Sequence, residues 1–290
     1  MSNEDATVLL SLLVGANTDV TNPKVDHMAS LQHDALSVRE SVSLPVQKDR
    51  FARTDVRPRR NLSLMRKYEA AALLPDLTVT MATHVAPAIP LFEDATCAFA
   101  RGTLIQTVRG PVAIEDLLPG DYVETPLGPQ PVMWIGSTTY VPGTVDDATS
   151  LTSLTRVTGD AFGMACPQSD LLVGPAARMV VRREKFKTLI GLEAVLAPVR
   201  DYADGDRIFD VSPGGAVQMY HLMLPRHSTM RVGSVEMESY HPGKGIGAKM
   251  GFNTRQLFQS LFPNIETVED FGDLAMPRTT RDVIDSLTLR

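Results

Sequence analysis

The stretch TCAFARGTLIQTVRGPVAIEDLLPGDYVETPLGPQPVMW occupies residues 96–134 and decides the fold. It consists of short apolar runs of strand length, separated by glycine and proline residues that are typical of turns. In the tetrad at residues 118–121, proline stands second and glycine third. That order suits a type II turn, because proline fixes φ and glycine accepts a positive φ. The stretch therefore predicts short strands joined by tight turns.

The rest of the chain predicts a mainly β body with helices at its C-terminal end. Further strands are predicted at residues 77–82, 86–92, 170–183 (two strands about a Gly-Pro turn), 208–211, 217–224 and 229–232. Helices are predicted at residues 61–72, after a cap at Asn61, from a cap at Asn253, and at residues 282–289. Residues 1–60 lack a sustained period, so we expect an arm of weak or conditional order, followed by one body at residues 61–290.

The order of these motifs resembles the Hint (hedgehog/intein) domain, in its bacterial hedgehog/intein-like branch. There a nucleophile precedes a Gly-Thr strand start, a Leu-x-x-Gly-Asp turn and a Pro-x-x-Trp-Ile-Gly strand, which correspond here to residues 102–103, 117–121 and 131–136. The resemblance extends from about residue 92 to the C-terminus. It implies a compact, pseudo-twofold, all-β Hint fold with a short helical extension.

The resemblance also implies a chemistry, because Hint domains break or rearrange the peptide bond at their own N-terminal edge. A thiol or hydroxyl attacks the preceding carbonyl, and a downstream Thr-x-x-His element orients that carbonyl and protonates the departing amide nitrogen. The nucleophile position here is Ala98, and the positions of the threonine and histidine are Gly174 and Ala177. We therefore expect no splicing by the family route.

Three nearby residues are the remaining candidate catalytic groups: Cys97, His221 and His227. Cys97 precedes the nucleophile position by one residue, so a regular strand would point it to the opposite face, and we favour a small buried thiol. His221 and His227 match positions of a late intein motif. With His241 they would make a metal site, but rings bonded to the backbone are the favoured interpretation. We expect no metal and no cofactor.

Two functions follow from these residues. The favoured one is a Hint-fold protein that has lost self-cleavage and splicing, is not an enzyme, and serves as a binding or structural module. Its protein partner and its oligomeric state are left open by the sequence. The alternative is an autoprocessing protein that cleaves its own backbone near Thr96-Cys97 by an N–S acyl shift.

Composition limits the partners further. Hydrophobic residues make up 43% of the chain, charged residues 21%, and the net charge of −6 argues against general binding of nucleic acid or anionic membrane. The basic cluster at residues 48–67 has only Phe51 to stack on bases, so a solvated linker is favoured over a nucleic-acid arm.

No apolar stretch reaches the ~18 residues of a membrane span. We expect a cytoplasmic protein without a signal peptide, and non-classical secretion stays open.

Overall fold

The computed structural model describes residues 63–144 and 146–288, and the predicted arm at residues 1–60 lies outside these ranges. The prediction of a mainly β fold is confirmed. The strands are β1 (Met65–Leu73), β2 (Val79–Pro87), β3 (Phe99–Ala100), β4 (Leu104–Thr107), β5 (Gly110–Ala113), β6 (Tyr122–Val123), β7 (Gln130–Pro131), β8 (Trp134–Tyr140), β9 (Leu154–Val157), β10 (Leu171–Val173), β11 (Arg178–Arg182), β12 (Ala194–Pro198), β13 (Ile208–Val211), β14 (Val217–Met223), β15 (Thr229–Val232) and β16 (Val235–Glu238). The α-helices are α1 (Pro90–Glu93), α2 (Phe186–Ile190), α3 (Ile246–Lys249), α4 (Phe252–Ser260) and α5 (Arg281–Thr288).

The strands form two antiparallel sheets. The first has the order β13-β9-β10-β3-β14-β8-β1-β2, and the second has the order β12-β11-β16-β15-β4-β6-β7, with β5 beside β4. Buried side chains of both sheets, among them Phe99 and Leu154 of the first and Met179 and Met230 of the second, belong to one hydrophobic cluster. The short strand β3 lies between β10 and β14, and it places the start of the motif at residues 97–103 inside the first sheet.

The helix predicted at residues 61–72 is wrong, since this segment contains β1. Alternate residues of β1 are buried and exposed, which is the period of a strand. The strand pairs with β2 over its full length and with β8 over five residues, from Tyr68 to Ala72. Alanine-rich composition favours a helix locally, but strand partners on both sides override that preference.

Two other predicted boundaries also change. The strand predicted at residues 86–92 ends at Pro87, because Pro90 begins the short helix α1. Proline is favoured at the first position of a helix, where a backbone N–H would have no partner within the helix. At the other end of the chain, Gly251 rather than Asn253 caps α4. None of the described helices is long and apolar enough to cross a membrane.

The single tryptophan anchors the C-terminal helices to the first sheet. The Trp134 indole N–H donates to the Leu261 carbonyl at 2.6 Å, and its ring lies 4.4 Å from the ring of Phe262. Gly136 makes room for the ring, since a Cβ at that position would lie 2.1 Å from an indole carbon. The Trp-Ile-Gly motif is thus a packing motif, which joins β8 to the segment after α4.

Candidate functional site

The candidate site lies where the chain enters β3. The Ala98 N–H donates to the Tyr220 carbonyl at 3.0 Å, and the Ala98 carbonyl accepts from the Gly174 N–H at 2.9 Å. Ala98 is therefore held between β14 and the residue that follows β10, and the N–H of the Cys97–Ala98 peptide bond is fixed by β14. Ala177 closes the following turn, where its N–H donates to the Gly174 carbonyl at 3.1 Å. The fold thus brings together the three positions that the family motif aligns.

Gly174 packs directly against the carbonyl that precedes Ala98. A Cβ at Gly174 would lie 2.0 Å from the Cys97 oxygen, 3.0 Å from the Cys97 carbonyl carbon and 3.1 Å from Cε of Met219. Contacts this short are far inside van der Waals distance, so only glycine fits while the carbonyl keeps its place. The side chains of Ala98 and Ala177 are buried methyl groups. The side chains of residues 98, 174 and 177 therefore carry no group that can attack, orient or protonate.

Cys97 carries the only thiol next to this peptide bond in the described part of the chain, and it is fully buried. Burial raises the pKa of the thiol well above its usual value, and the nearby carboxylates of Asp94 and Glu93 raise it further. The Ala176 N–H, which bonds to the sulfur, opposes them only in part. Because the thiolate is the nucleophilic form, Cys97 is a weak nucleophile in this setting.

His221 lies on β14 beside β3, and its ring contacts Phe99 and the segment before Cys97. Its Nδ1 is 2.9 Å from the Asp94 carbonyl oxygen, which can only accept, so Nδ1 carries the hydrogen. The ring packs edge-on against Phe99 and Tyr240. Burial lowers the pKa of His221 to about 4, although its bond to Asp94 favours the charged form. The ring is neutral at pH 7, and its buried Nε2 has no partner among residues 63–144 and 146–288.

Asp94 was missed by sequence reasoning. It caps the C-terminal end of α1, three residues before Cys97, and its backbone carbonyl orients His221. Burial raises the pKa of its carboxyl group, while Arg178 and Arg278 oppose that shift. An available signal was the acidic pair Glu93-Asp94, which ends three residues before Cys97.

His227 belongs to a separate buried cluster around Glu238. The His227 Nε2–H donates to Glu238 Oε1 at 2.9 Å, and its Nδ1 accepts from the Ala275 N–H at 2.8 Å. Arg278 Nε donates to the same Glu238 oxygen at 2.8 Å. Burial alone would raise the pKa of Glu238, but Arg278, His227 and Arg178 hold it well below its usual range. Both nitrogens of His227 are therefore engaged in hydrogen bonds within this cluster.

His241, the third histidine considered for a metal site, is also fully engaged. Its Nε2 donates to the Gly272 carbonyl at 3.0 Å, and its Nδ1 accepts from the Gly243 N–H at 2.9 Å. Burial lowers the pKa of His241 to about 4, against the effect of the Gly272 bond. Across the described ranges, no group of three or more His, Cys, Asp or Glu residues could hold a metal ion.

The upstream side of the peptide bond is anchored by Glu93, which is completely buried. Its Oε1 accepts from Arg66 Nε at 3.1 Å and from the Thr149 hydroxyl at 2.5 Å. Its Oε2 accepts from the Ser150 N–H at 2.6 Å and the Leu151 N–H at 3.2 Å. Glu93 thereby joins the segment before Cys97 to residues more than fifty positions downstream. No local sequence pattern predicts this contact.

Comparison with known proteins shows the family of the chain. The Hint domain family matches residues 97–244, just over half of the chain, and the chain belongs to that family. The match begins at Cys97, directly before the aligned nucleophile position. A solution structure of a bacterial intein-like domain from Clostridium thermocellum is similar at 20% identity, with a TM-score of 0.31, and the similarity covers 50% of this chain and 99% of that one. No curated protein matches.

Proposed function

We propose that this Hint-domain protein has lost the ability to break its own backbone and serves as a binding or structural module. The observation that carries the proposal is the packing of Gly174 against the Cys97 carbonyl. The family resemblance implies a hydroxyl at this position in active members, and an imidazole three residues later. Here the space for the hydroxyl side chain is filled by the carbonyl itself, and Ala177 supplies only a methyl group.

The chemistry of the amide bond explains why these losses matter. An amide nitrogen leaves poorly unless a positioned acid protonates it, and such an acid is worth about 10²- to 10⁴-fold in rate. Ala98 also removes the nucleophile. A reaction that lacks both the attacking group and the acid falls back to the uncatalysed rate, so the bond between Cys97 and Ala98 persists.

The alternative, cleavage between Thr96 and Cys97, has weaker support. It needs a thiolate at Cys97, whose pKa is raised by burial, and a proton donor near the Cys97 amide nitrogen. The hydrogen on Nδ1 of His221 is already donated to Asp94, and both nitrogens of His227 are occupied. The protonated nitrogens of both rings are therefore already engaged in hydrogen bonds, which weakens the case for either histidine as the proton donor.

A binding role is supported by the outer face of the β1–β2 hairpin. Val79, Met81 and Val85 are about half exposed or more on this face, and β2 lies at the edge of the first sheet. The strand carries no Lys, Arg, Asp or Glu, the residues that usually protect an edge from other chains. A protein partner that adds an extended segment is the kind of partner such an edge accepts.

Intact mass measured under denaturing conditions tests the proposed loss of processing. After long incubation with dithiothreitol or hydroxylamine, we expect one species near 31.6 kDa. Denaturing conditions are needed because cut pieces of one sheet would stay together. A fragment that begins at Ala98 would overturn the proposal. A fragment that begins at Cys97, and that disappears in Cys97→Ser, would establish the alternative.

A further inference from the structure

A pocket of about 540 Å³ lies in the second sheet, between β11 and the hairpin of β15 and β16. Strand β11 pairs with β12 over five residues, but it pairs with β16 only at Met179 and Met237. Beyond that pair the strands separate, and the residues that follow on each strand line the pocket. Its volume falls in the range of small-molecule sites in proteins, roughly 300–1,000 Å³.

The walls of the pocket are apolar. Phe162 lies on one side, while Met179, Val181 and Val235 contribute buried side chains from the strands. A surface of this kind favours an apolar ligand body, because removing it from water is favourable by about 25 cal/mol for each Å² that is buried.

The rim carries an excess of positive charge. Arg182, Arg183 and Arg231 line the pocket, and Glu236 is its single lining carboxylate. Glu236 is already occupied, since Arg182 donates to one of its oxygens at 2.6 Å and the Thr229 hydroxyl donates to the other at 2.6 Å. For Arg183 and Arg231, no carboxylate of the described residues lies within ion-pair distance. Two guanidinium groups are thus available to an anion.

Tyr202 lines the same pocket and has an unsatisfied hydroxyl. That oxygen is buried and has no hydrogen-bond partner within the part of the chain that the structure describes. The guanidinium of Arg281 lies over the ring at 5.2 Å, which fixes the ring in place. A buried hydroxyl without a partner is unfavourable, so an acceptor atom supplied by a ligand would stabilise it.

We propose that this pocket binds an amphipathic anion: a small molecule with an apolar body, held by the walls, and a carboxylate, held by Arg183 and Arg231 and bonded to the Tyr202 hydroxyl. The site goes beyond the proposed function, because none of its residues takes part in the contacts around Ala98. The two proposals are tested separately. The pocket can fail to bind the anion in a protein that does not cleave itself, and self-cleavage can be found in a protein whose pocket binds the anion.

Calorimetric titration of the full-length protein with octanoate tests the chemistry of the ligand. Octanoate should bind at least tenfold more tightly than 1-octanol or octyltrimethylammonium, which share its chain but lack the negative charge. The double substitution Arg183→Gln and Arg231→Gln should weaken octanoate binding by about tenfold or more, since a hydrogen bond to a charged group is worth about 1.5–3 kcal/mol. The matched control is Arg207→Gln with Arg226→Gln, two exposed arginines outside the pocket.

Two further measurements use the unaltered protein, so they hold even if the double variant does not fold. Raising the salt concentration from about 0.05 M to 0.5 M should weaken octanoate binding, because the anion is held by exposed charges. Cys166 lines the pocket and Cys97 is buried, so octanoate should slow the alkylation of Cys166 by N-ethylmaleimide. Equal binding of octanoate and octanol, no protection of Cys166, or full affinity in the double variant would each overturn the proposal.

Discussion

Substituting Gly174 by alanine tests the contact on which the proposed function rests. The added Cβ would lie 2.0 Å from the Cys97 oxygen, well inside the distance that real Cβ atoms keep. The carbonyl cannot retreat freely, because the next residue, Ala98, is bonded through its N–H to Tyr220 and through its oxygen to Gly174. Relief of the clash therefore requires at least one of these strand bonds to lengthen or break.

The expected loss of stability can be bounded from these contacts. Forcing one extra methyl group into a packed core costs about 1–3 kcal/mol, and a clash with backbone belongs at the upper end. We therefore expect Gly174→Ala to lower the free energy of unfolding by about 3 kcal/mol. For a body of this size that corresponds to a fall in the melting temperature of roughly 6–12 °C.

Urea denaturation followed by the fluorescence of Trp134 measures this change, because that residue is the only tryptophan and is fully buried. The matched control is Gly214→Ala, where an added Cβ has no atom within 4 Å. The control should leave stability within about 0.5 kcal/mol of the original chain. A Gly174→Ala variant as stable as the control would refute the packing of Gly174 on the carbonyl, and would remove the main support for the proposed loss of cleavage.

Two further predictions concern buried charges and protons. Glu238→Gln leaves Arg278 buried without its counter-charge and should cost about 3–5 kcal/mol. Glu193→Gln, which breaks the exposed pair with Lys187, should change stability far less, and equal losses in urea denaturation would contradict the buried network. The pKa of His221 is about 4 in the folded protein and about 6.5 in the unfolded chain. As the pH drops from 6.5 towards about 4, the unfolded state takes up the proton first, so the free energy of unfolding falls. Between pH 6.5 and 5 this group should account for about 2 kcal/mol of the loss, and a His221→Gln variant with an equally steep pH dependence would show that the ring is not buried and neutral.

The parts of the fold that follow from local sequence could be predicted well. Strands β13 and β15 were expected at the residues where they occur, since short apolar runs and flanking turns define them without outside help. Strand β1 was mistaken for a helix, because its alanine-rich composition favours a helix and its strand form depends on pairing with β2 and with β8, which lies more than sixty residues downstream. Local composition carries no information about such a partner.

The candidate site, like the fold, could be predicted from the sequence only in part. Ala98 and Gly174 were aligned from motif spacing, and the structure places them side by side. The bond between His221 and Asp94 joins residues 127 positions apart, and the bond between Arg278 and Glu238 joins residues 40 positions apart. These contacts depend on how distant segments pack. The sequence analysis therefore identified His221 as a candidate but did not predict its partner Asp94.

The segment before the candidate bond is held to the rest of the protein by contacts that do not depend on that bond. Strand β1 covers β8, a seven-residue strand whose side chains are almost all buried and which would otherwise form the edge of the first sheet. Glu93 ties the same segment to Thr149 and Leu151 from inside the protein. A cut between Cys97 and Ala98 would leave both sets of contacts in place, so the two pieces would stay joined. Release of the upstream piece would expose an apolar edge to other chains. A backbone cut here would therefore not free the upstream segment unless β8 were uncovered.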